Sequence, residues 1–169
     1  HGVTGFLATS WSASRSSIEQ MLGSVREVTG CEMGAALLGI HLEGPFINPV
    51  RAGAQSPREI RPARREEVLP YLDSGLVKVV TLAPEVKENQ WLISVCRERG
   101  ICVSAGHSDA TYQEMQTAVH LGLRHVTHTF NGMRAFNQRE PGVVGAALEL
   151  DDLSCEVIAD GVHVHPAAI

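Results

Sequence analysis

Apolar positions along the chain follow two rhythms. Six short runs rich in β-branched residues have the length and composition of strands: residues 3–8 (VTGFLA), 37–42 (LLGIHL), 77–82 (VKVVTL), 101–105 (ICVSA), 125–130 (HVTHTF) and 155–159 (CEVIA). Helical spacing fills most of the gaps. Ile18, Met21, Leu22, Val25 and Val28 recur at three- and four-residue steps and predict one apolar helical face. Ser16 with Glu19 predicts a capping box for that helix, and Gly30 its stop. A second helix is predicted with Ser108 or Asp109 as its cap, with Tyr112, Met115 and Val119 on its buried face, and Gly122 as its end. Residues 86–99, closed by Gly100, and residues 63–74 carry thinner patterns. In the latter, Pro70 removes a helical hydrogen bond.

Strand and helix in alternation predict an α/β fold built on a parallel sheet. The strand starts suit successive βα units, with one long excursion over residues 44–76. No linker-like segment divides the chain, and no repeat is visible beyond the βα rhythm. Six units in 169 residues average about 28 each. Eight such units would need roughly 225, near the ~250 of a (β/α)₈ TIM-type barrel. The expectation is an incomplete barrel of about six βα units, with residues 1–169 as the central part of the catalytic barrel domain.

Composition narrows the function. The chain is 44% hydrophobic with a net charge of −5, so it can bury a core and lacks the basic footprint of a nucleic-acid binder. The longest apolar run, residues 33–40, is far too short to span a bilayer, so no membrane partner is expected. The opening residues show no basic-then-apolar leader, and the expected location is cytoplasmic. Four cysteines without a CxxC pair predict reduced, buried thiols. Eight histidines against two lysines is the one unusual ratio.

Polar residues with catalytic potential, several of these histidines among them, fall at the C-terminal ends of four of the runs, the active-site face of a parallel barrel. His41 and Glu43 end the second run, His107 follows the fourth, His128 lies in the fifth with Asn131 after it, and Asp160 and His163 follow the sixth. Taken singly, Glu43 is equally an acid at a solvated strand end, and a lone histidine such as His107 is more often a structural side chain. Together, one carboxylate and two imidazoles from separate strands make a three-ligand set with a position left open for water. That set predicts Glu43, His107 and His128 around a divalent metal, zinc first, with iron and other divalent ions also suited. His41 is expected to support the set rather than join it. His163 or His165 is either a further ligand or a donor to a substrate carbonyl. Arg134 and Arg139 lie in a polar loop, where a guanidinium suits phosphate or carboxylate. His1, His120 and His125 have no supporting context and are expected to be surface or packing residues. No GxGxxG, GxxxxGK[ST] or GxSxG motif is present.

Five motifs in order make the pattern specific: HLEGPF at 41–46, GHSDA at 106–110, THTFNGM at 127–133, REPG at 139–142 and IADGVHVHP at 158–166. Together they resemble the N-acetylglucosamine-6-phosphate deacetylase family of the amidohydrolase superfamily, over essentially the whole chain. The resemblance implies a metal-dependent barrel, with a small β-sandwich and the first and last barrel strands outside this sequence. It implies hydrolysis of the acetamide of N-acetylglucosamine 6-phosphate to glucosamine 6-phosphate and acetate. It assigns Glu43, His107 and His128 to the metal, and His163 to the sugar and the acetamide carbonyl, as the catalytic residue of this segment. Ala54, Gln55, Asn131, Gly132 and Arg139 become substrate contacts, with Arg139 meeting the phosphate across a homodimer interface. Relatives often have histidine where this chain has Gln55, and alanine at Gly132. The family's catalytic aspartate would lie beyond Ile169, so this segment alone is expected to be inactive.

Two other readings compete. An amidohydrolase of cyclic amides commonly bridges two metals with a modified lysine at the end of the fourth barrel strand. Here that run ends Thr81-Leu82-Ala83-Pro84, and its lysine, Lys78, is near the start. The other reading is a non-catalytic truncated fragment, whose two open sheet edges predict low stability.

Overall fold

The computed structural model describes residues 2–169. Six parallel strands pair in chain order to form one curled half-barrel sheet, with helices packed between successive strands. The strands are β1 (Gly5–Thr9), β2 (Ala36–Glu43), β3 (Val77–Leu82), β4 (Cys102–Ala105), β5 (His125–Val126) and β6 (Ser154–Cys155). The helices are α1 (Arg15–Val28), α2 (Arg65–Asp73), α3 (Gln90–Glu98), α4 (Tyr112–Leu121) and α5 (Gly142–Glu149). Strictly sequential parallel order is what repeated right-handed βα units produce. One apolar cluster joins sheet and helices, with Ile18 and Leu22 of α1, Tyr71 of α2, Ile93 of α3 and Met115 of α4 against Ile40, Val80, Val103 and Val126. No described helix is long and apolar enough to cross a membrane.

The register slips twice, between Phe6 and Leu7 in the β1–β2 pair and between Ile40 and His41 in the β2–β3 pair. Gly39 sits between these slips at φ +139, where a Cβ would overlap the Leu76 carbonyl oxygen. Only glycine lets the two backbones approach there. The bend it permits lies just before the two polar residues that end β2.

Several local expectations need correction. Helix α1 is capped by Ser14, whose side chain accepts from Ser17 N. The Ser16–Glu19 box does not form, because Glu19 pairs with Arg15 one turn back at 2.8 Å. Helix α4 starts at Thr111, which forms a full capping box with Glu114. Ser108 and Asp109 are engaged elsewhere, as described below. Pro70 lies inside α2, and the helix survives the lost bond because Val68, Tyr71 and Leu72 are buried. Strand β5 stops at Val126 instead of residue 130, since His128 and Phe130 turn to positive φ. Strand β6 is likewise shorter than expected, with a neighbour on one side only. Helix α5 was not foreseen: Gly142 and Gly145 interrupt its apolar pattern, although Val143 and Ala146 are fully buried. The four cysteines are free as expected, but Cys31 and Cys155 are exposed and Cys102 is partly so, leaving only Cys96 buried.

Candidate metal centre

Three strands deliver one donor each to the same end of the sheet. Glu43 is the last residue of β2, while His107 and His128 lie two residues beyond β4 and β5. His107 Nε2 lies 3.1 Å from Glu43 Oε1 and 3.1 Å from His128 Nε2, and His128 Nε2 lies 3.5 Å from Glu43 Oε1. Among the described residues, these three form the one group of His, Cys, Asp or Glu side chains close enough to share a metal ion. The imidazoles meet edge to face, with ring centroids 4.8 Å apart.

The arrangement of donors suits a cation at this point. His107 Nδ1 lies 2.9 Å from the Arg51 carbonyl oxygen, which can only accept, so Nδ1 carries a proton. His107 Nε2 then faces the Glu43 carboxylate and His128 Nε2. A carboxylate oxygen and two imidazole nitrogens thus converge on one point, a set that a shared cation would satisfy. A circle through the three atoms, at separations of 3.1, 3.1 and 3.5 Å, has a radius of about 1.9 Å. That spacing would suit a divalent ion held by these three residues at the usual ~2.0–2.2 Å from each donor. On residues that line the same cavity as the donors, His128 Nδ1, Asn131 Nδ2 and Ser10 Oγ are buried without a protein partner. The donor set therefore fits a divalent ion on the structure's own geometry. Burial would raise the Glu43 carboxyl, but its bonds to His107 and His128 outweigh that and hold it well below the usual carboxylate range.

The site is braced from behind. Gln55 is 6% exposed, accepts from Ser12 N at 2.6 Å and donates Nε2 to Glu43 Oε1 at 3.1 Å. Asp109 accepts from Arg51 Nε at 2.7 Å and from Arg134 NH2 at 2.7 Å. Glu85 accepts from Asp109 N at 2.6 Å, Ser108 Oγ at 2.7 Å and Asn48 Nδ2 at 3.0 Å. Thus the loops after β2, β3, β4 and β5 are clasped around His107. His41 stays outside the donor group. Its Nε2 meets Thr81 Oγ1 at 2.7 Å, which continues to Thr127 Oγ1 at 2.7 Å and Ser104 Oγ at 2.6 Å. Burial pushes the His41 imidazole below its ordinary value and favours the neutral form of this chain of bonds.

The donors open onto a cavity of about 590 Å³. Ala54, Gln55, Asn131, Gly132 and His163 all line it. His163 Nδ1 pairs with Asp160 Oδ2 at 2.7 Å. Backbone amides of His163 and Val162, with that ring, pull the Asp160 carboxyl down to about 2. Arg139 is exposed and is not among the lining residues, while Arg134 is tied to Asp109. His120 is exposed, and His125 bridges Ser154 and Glu156; His1 lies outside the described residues. His165 caps the last turn by accepting from Ala167 N. Residue patterns missed Trp11, Ser10 and Ile158, which also line the cavity. The signal for Trp11 was available, since it follows the first run at the same strand end as the other site residues.

Comparison with known proteins places this geometry. A profile described as the amidohydrolase family matches residues 1–169. The N-acetylglucosamine-6-phosphate deacetylase of Bacillus subtilis is 44% identical over 173 residues, covering 99% of this chain and 44% of its own. The human protein of the same name is 37% identical over 179 residues, covering 100% of this chain and 44% of its own. Among solved structures, the Mycobacterium smegmatis deacetylase aligns with a TM-score of 0.91 at 36% identity, over 99% of this chain and 44% of that one. A mutant of the M. smegmatis enzyme, in complex with N-acetyl-D-glucosamine-6-phosphate, aligns with the same TM-score of 0.91 and the same coverage. The chain thus spans less than half the length of the relatives it matches. With a profile matched over its whole length and three donors converging at the strand ends, the chain belongs to the amidohydrolase family.

Proposed function

We propose that the protein hydrolyses the acetamide of N-acetylglucosamine 6-phosphate, releasing glucosamine 6-phosphate and acetate. The observation that carries this reading is the convergence of Glu43, His107 and His128 within 3.5 Å on the wall of the cavity. The deacetylases named above, one of them in complex with that sugar phosphate, supply the substrate class. Glu43, His107 and His128 hold a divalent ion, zinc by preference, since one oxygen and two nitrogens suit it. Bound there, such an ion supplies a Lewis acid and lowers the pKa of water near it.

The chain's own side chains position the rest. Gln55 and the Arg51 carbonyl fix the orientation of Glu43 and His107. His163, paired with Asp160 through Nδ1, has Nε2 left to meet the acetamide of the substrate. Asn131 and Gly132 contact the sugar, and Ala54 forms wall. Arg139, exposed and outside its own cavity, binds the phosphate in the opposite subunit of a homodimer. Hydrolysis breaks the acyl C–N bond, adds the water oxygen to the acyl carbon and delivers a proton to the departing amine. The position a bridging lysine would occupy ends in Leu82, and Lys78 instead donates to the Gly75 carbonyl, which disfavours a cyclic-amide substrate.

The test is metal analysis of the purified protein beside His128→Ala, with acetate release from N-acetylglucosamine 6-phosphate as the activity. Wild type should bind about one equivalent and His128→Ala should lose it. Unchanged metal content in the variant removes the basis of the proposal, and turnover of a dihydropyrimidine in place of the sugar would redirect it.

A further inference from the structure

We propose that Trp11 is the wall on which a hexosamine ring stacks in the cavity; this rests on the deacetylase reading for the identity of the ring. Trp11 follows β1 at the same end of the sheet as the metal donors. It lines the cavity and is 63% exposed, although it is a large apolar side chain. Its two neighbours behave oppositely. Ser10 is 7% and Ser12 is 5% exposed. Ser10 N donates to the His41 carbonyl at 2.9 Å. Ser12 N donates to Gln55 Oε1 at 2.6 Å, and Gln55 in turn donates to Glu43. The backbone is therefore tied on both sides of the indole, once to the strand that carries Glu43 and once, through Gln55, to Glu43 itself. Trp11 is held out over the cavity at a fixed place relative to the donors.

The chemistry selects the ligand. An indole offers a flat apolar face with a single polar edge. A pyranose offers the complement, an apolar face of ring C–H groups bordered by hydroxyls. The polar side chains for those hydroxyls, Asn131 and His163, line the same cavity. An exposed aromatic next to converging polar groups is the usual form of a small-molecule site. The other tryptophan cannot perform this role: Trp91 stacks under Arg65 at 4.5 Å and donates Nε1 to the Ala63 carbonyl.

The experiment uses the metal-loaded protein with two acetamides. One is N-acetylglucosamine 6-phosphate, and the other is O-phospho-N-acetylethanolamine, which has the same acyl and phosphate groups without a ring. Trp11→Ala should raise KM for the sugar by about threefold to tenfold, with kcat within twofold, while Trp11→Phe restores most of the affinity. KM for the open-chain compound should not move. An unchanged KM for the sugar overturns the proposal. So does an equal rise for both compounds, which would put the indole against the acetyl methyl. If neither compound is hydrolysed, tryptophan fluorescence decides the present proposal through binding alone. Quenching by N-acetylglucosamine 6-phosphate that disappears in Trp11→Phe sustains the stacking, and its absence in wild type refutes it.

Discussion

Replacing Asp109 by asparagine should loosen a proposed metal ligand that Asp109 does not touch. Asp109 Oδ1 takes Arg51 Nε at 2.7 Å and NH2 at 2.6 Å, and Oδ2 takes Arg134 NH2 at 2.7 Å. The Arg51 carbonyl in turn accepts from His107 Nδ1 at 2.9 Å. The amide variant keeps the shape but leaves two guanidiniums without a counter-charge. Bonds to charged groups contribute ~1.5–3 kcal/mol each when well buried. Here the Asp109, Arg51 and Arg134 side chains are 27%, 34% and 33% exposed, so solvent screens them towards the surface range. Arg134 also keeps its two bonds to the Asp109 carbonyl. The net loss should be about 2 kcal/mol, or roughly 4–8 °C in Tm for a chain of this size. Metal affinity should fall as well, by about 10-fold, since the Arg51 carbonyl that orients His107 stays but loses its anchor. A chelator-competition titration beside a thermal melt of the apoprotein measures both. Arg15→Ala, which removes an exposed helix pair at 54% and 48% exposure, is the control and should change neither. If Asp109→Asn lowers Tm as expected but leaves metal affinity within twofold, the clasp does not orient His107.

Other consequences are simpler to read. Thr81→Val leaves His41 Nε2 and Thr127 Oγ1 without a shared partner in a buried site, and chemical denaturation should show a loss of about 1–3 kcal/mol. Gly106→Ala puts a Cβ 2.6 Å from Thr81 Cγ2 and 3.0 Å from Thr127 Cβ, so overpacking should cost a similar ~1–3 kcal/mol by the same measurement. Burial would raise the Glu67 carboxyl, but its bonds to Arg61 and Tyr71 lower it overall. Its stabilisation is therefore present above the unfolded value near 4.5 and is lost as pH falls through the folded one. Glu67→Gln should flatten the stability profile on its acid side, and an unchanged slope there would count against the pair. Burial pushes the Cys96 thiol up to about 12, so a thiol reagent at pH 8 should label Cys31 and Cys155 quickly, and Cys96 only after denaturation.

Much of the fold was legible because each strand run is short, apolar and followed by a helical period. The donors were legible because polar residues at several strand ends have few reasons to coincide. What escaped was set by tertiary partners. Thr111 displaced Ser108 and Asp109 as the cap of α4 because those two side chains meet Glu85, Arg51 and Arg134, residues distant in sequence. Helix α5 escaped because glycine and proline mark breaks in a sequence, yet Gly145 is needed where a Cβ would strike Pro141. Trp11 escaped because one aromatic in a serine-rich stretch has no period, and its place after the first run was the one hint. Its meaning comes from the two serines buried around it.

The backbone at the donors carries a last consequence. Among the described residues, the non-glycine positions with positive φ are His107 at +48°, His128 at +34° and Phe130 at +81°. Two of these three are proposed metal ligands, and the third lies two residues away. Left-handed backbone costs a non-glycine residue roughly 1–2 kcal/mol. Such strain concentrates where function needs a particular direction for a side chain. Here it turns the imidazoles from the strand ends towards Glu43. Comparing His128→Ala with His128→Gly isolates that cost, since both remove the ring and only glycine accepts the conformation freely. The glycine variant should be more stable than the alanine variant by about 1 kcal/mol in urea unfolding of the metal-free proteins, even though glycine gains more chain entropy on unfolding. Both should lose the metal. An alanine variant that matches or exceeds the glycine variant would mean that His128 reaches its position without backbone strain, and that packing alone aims it.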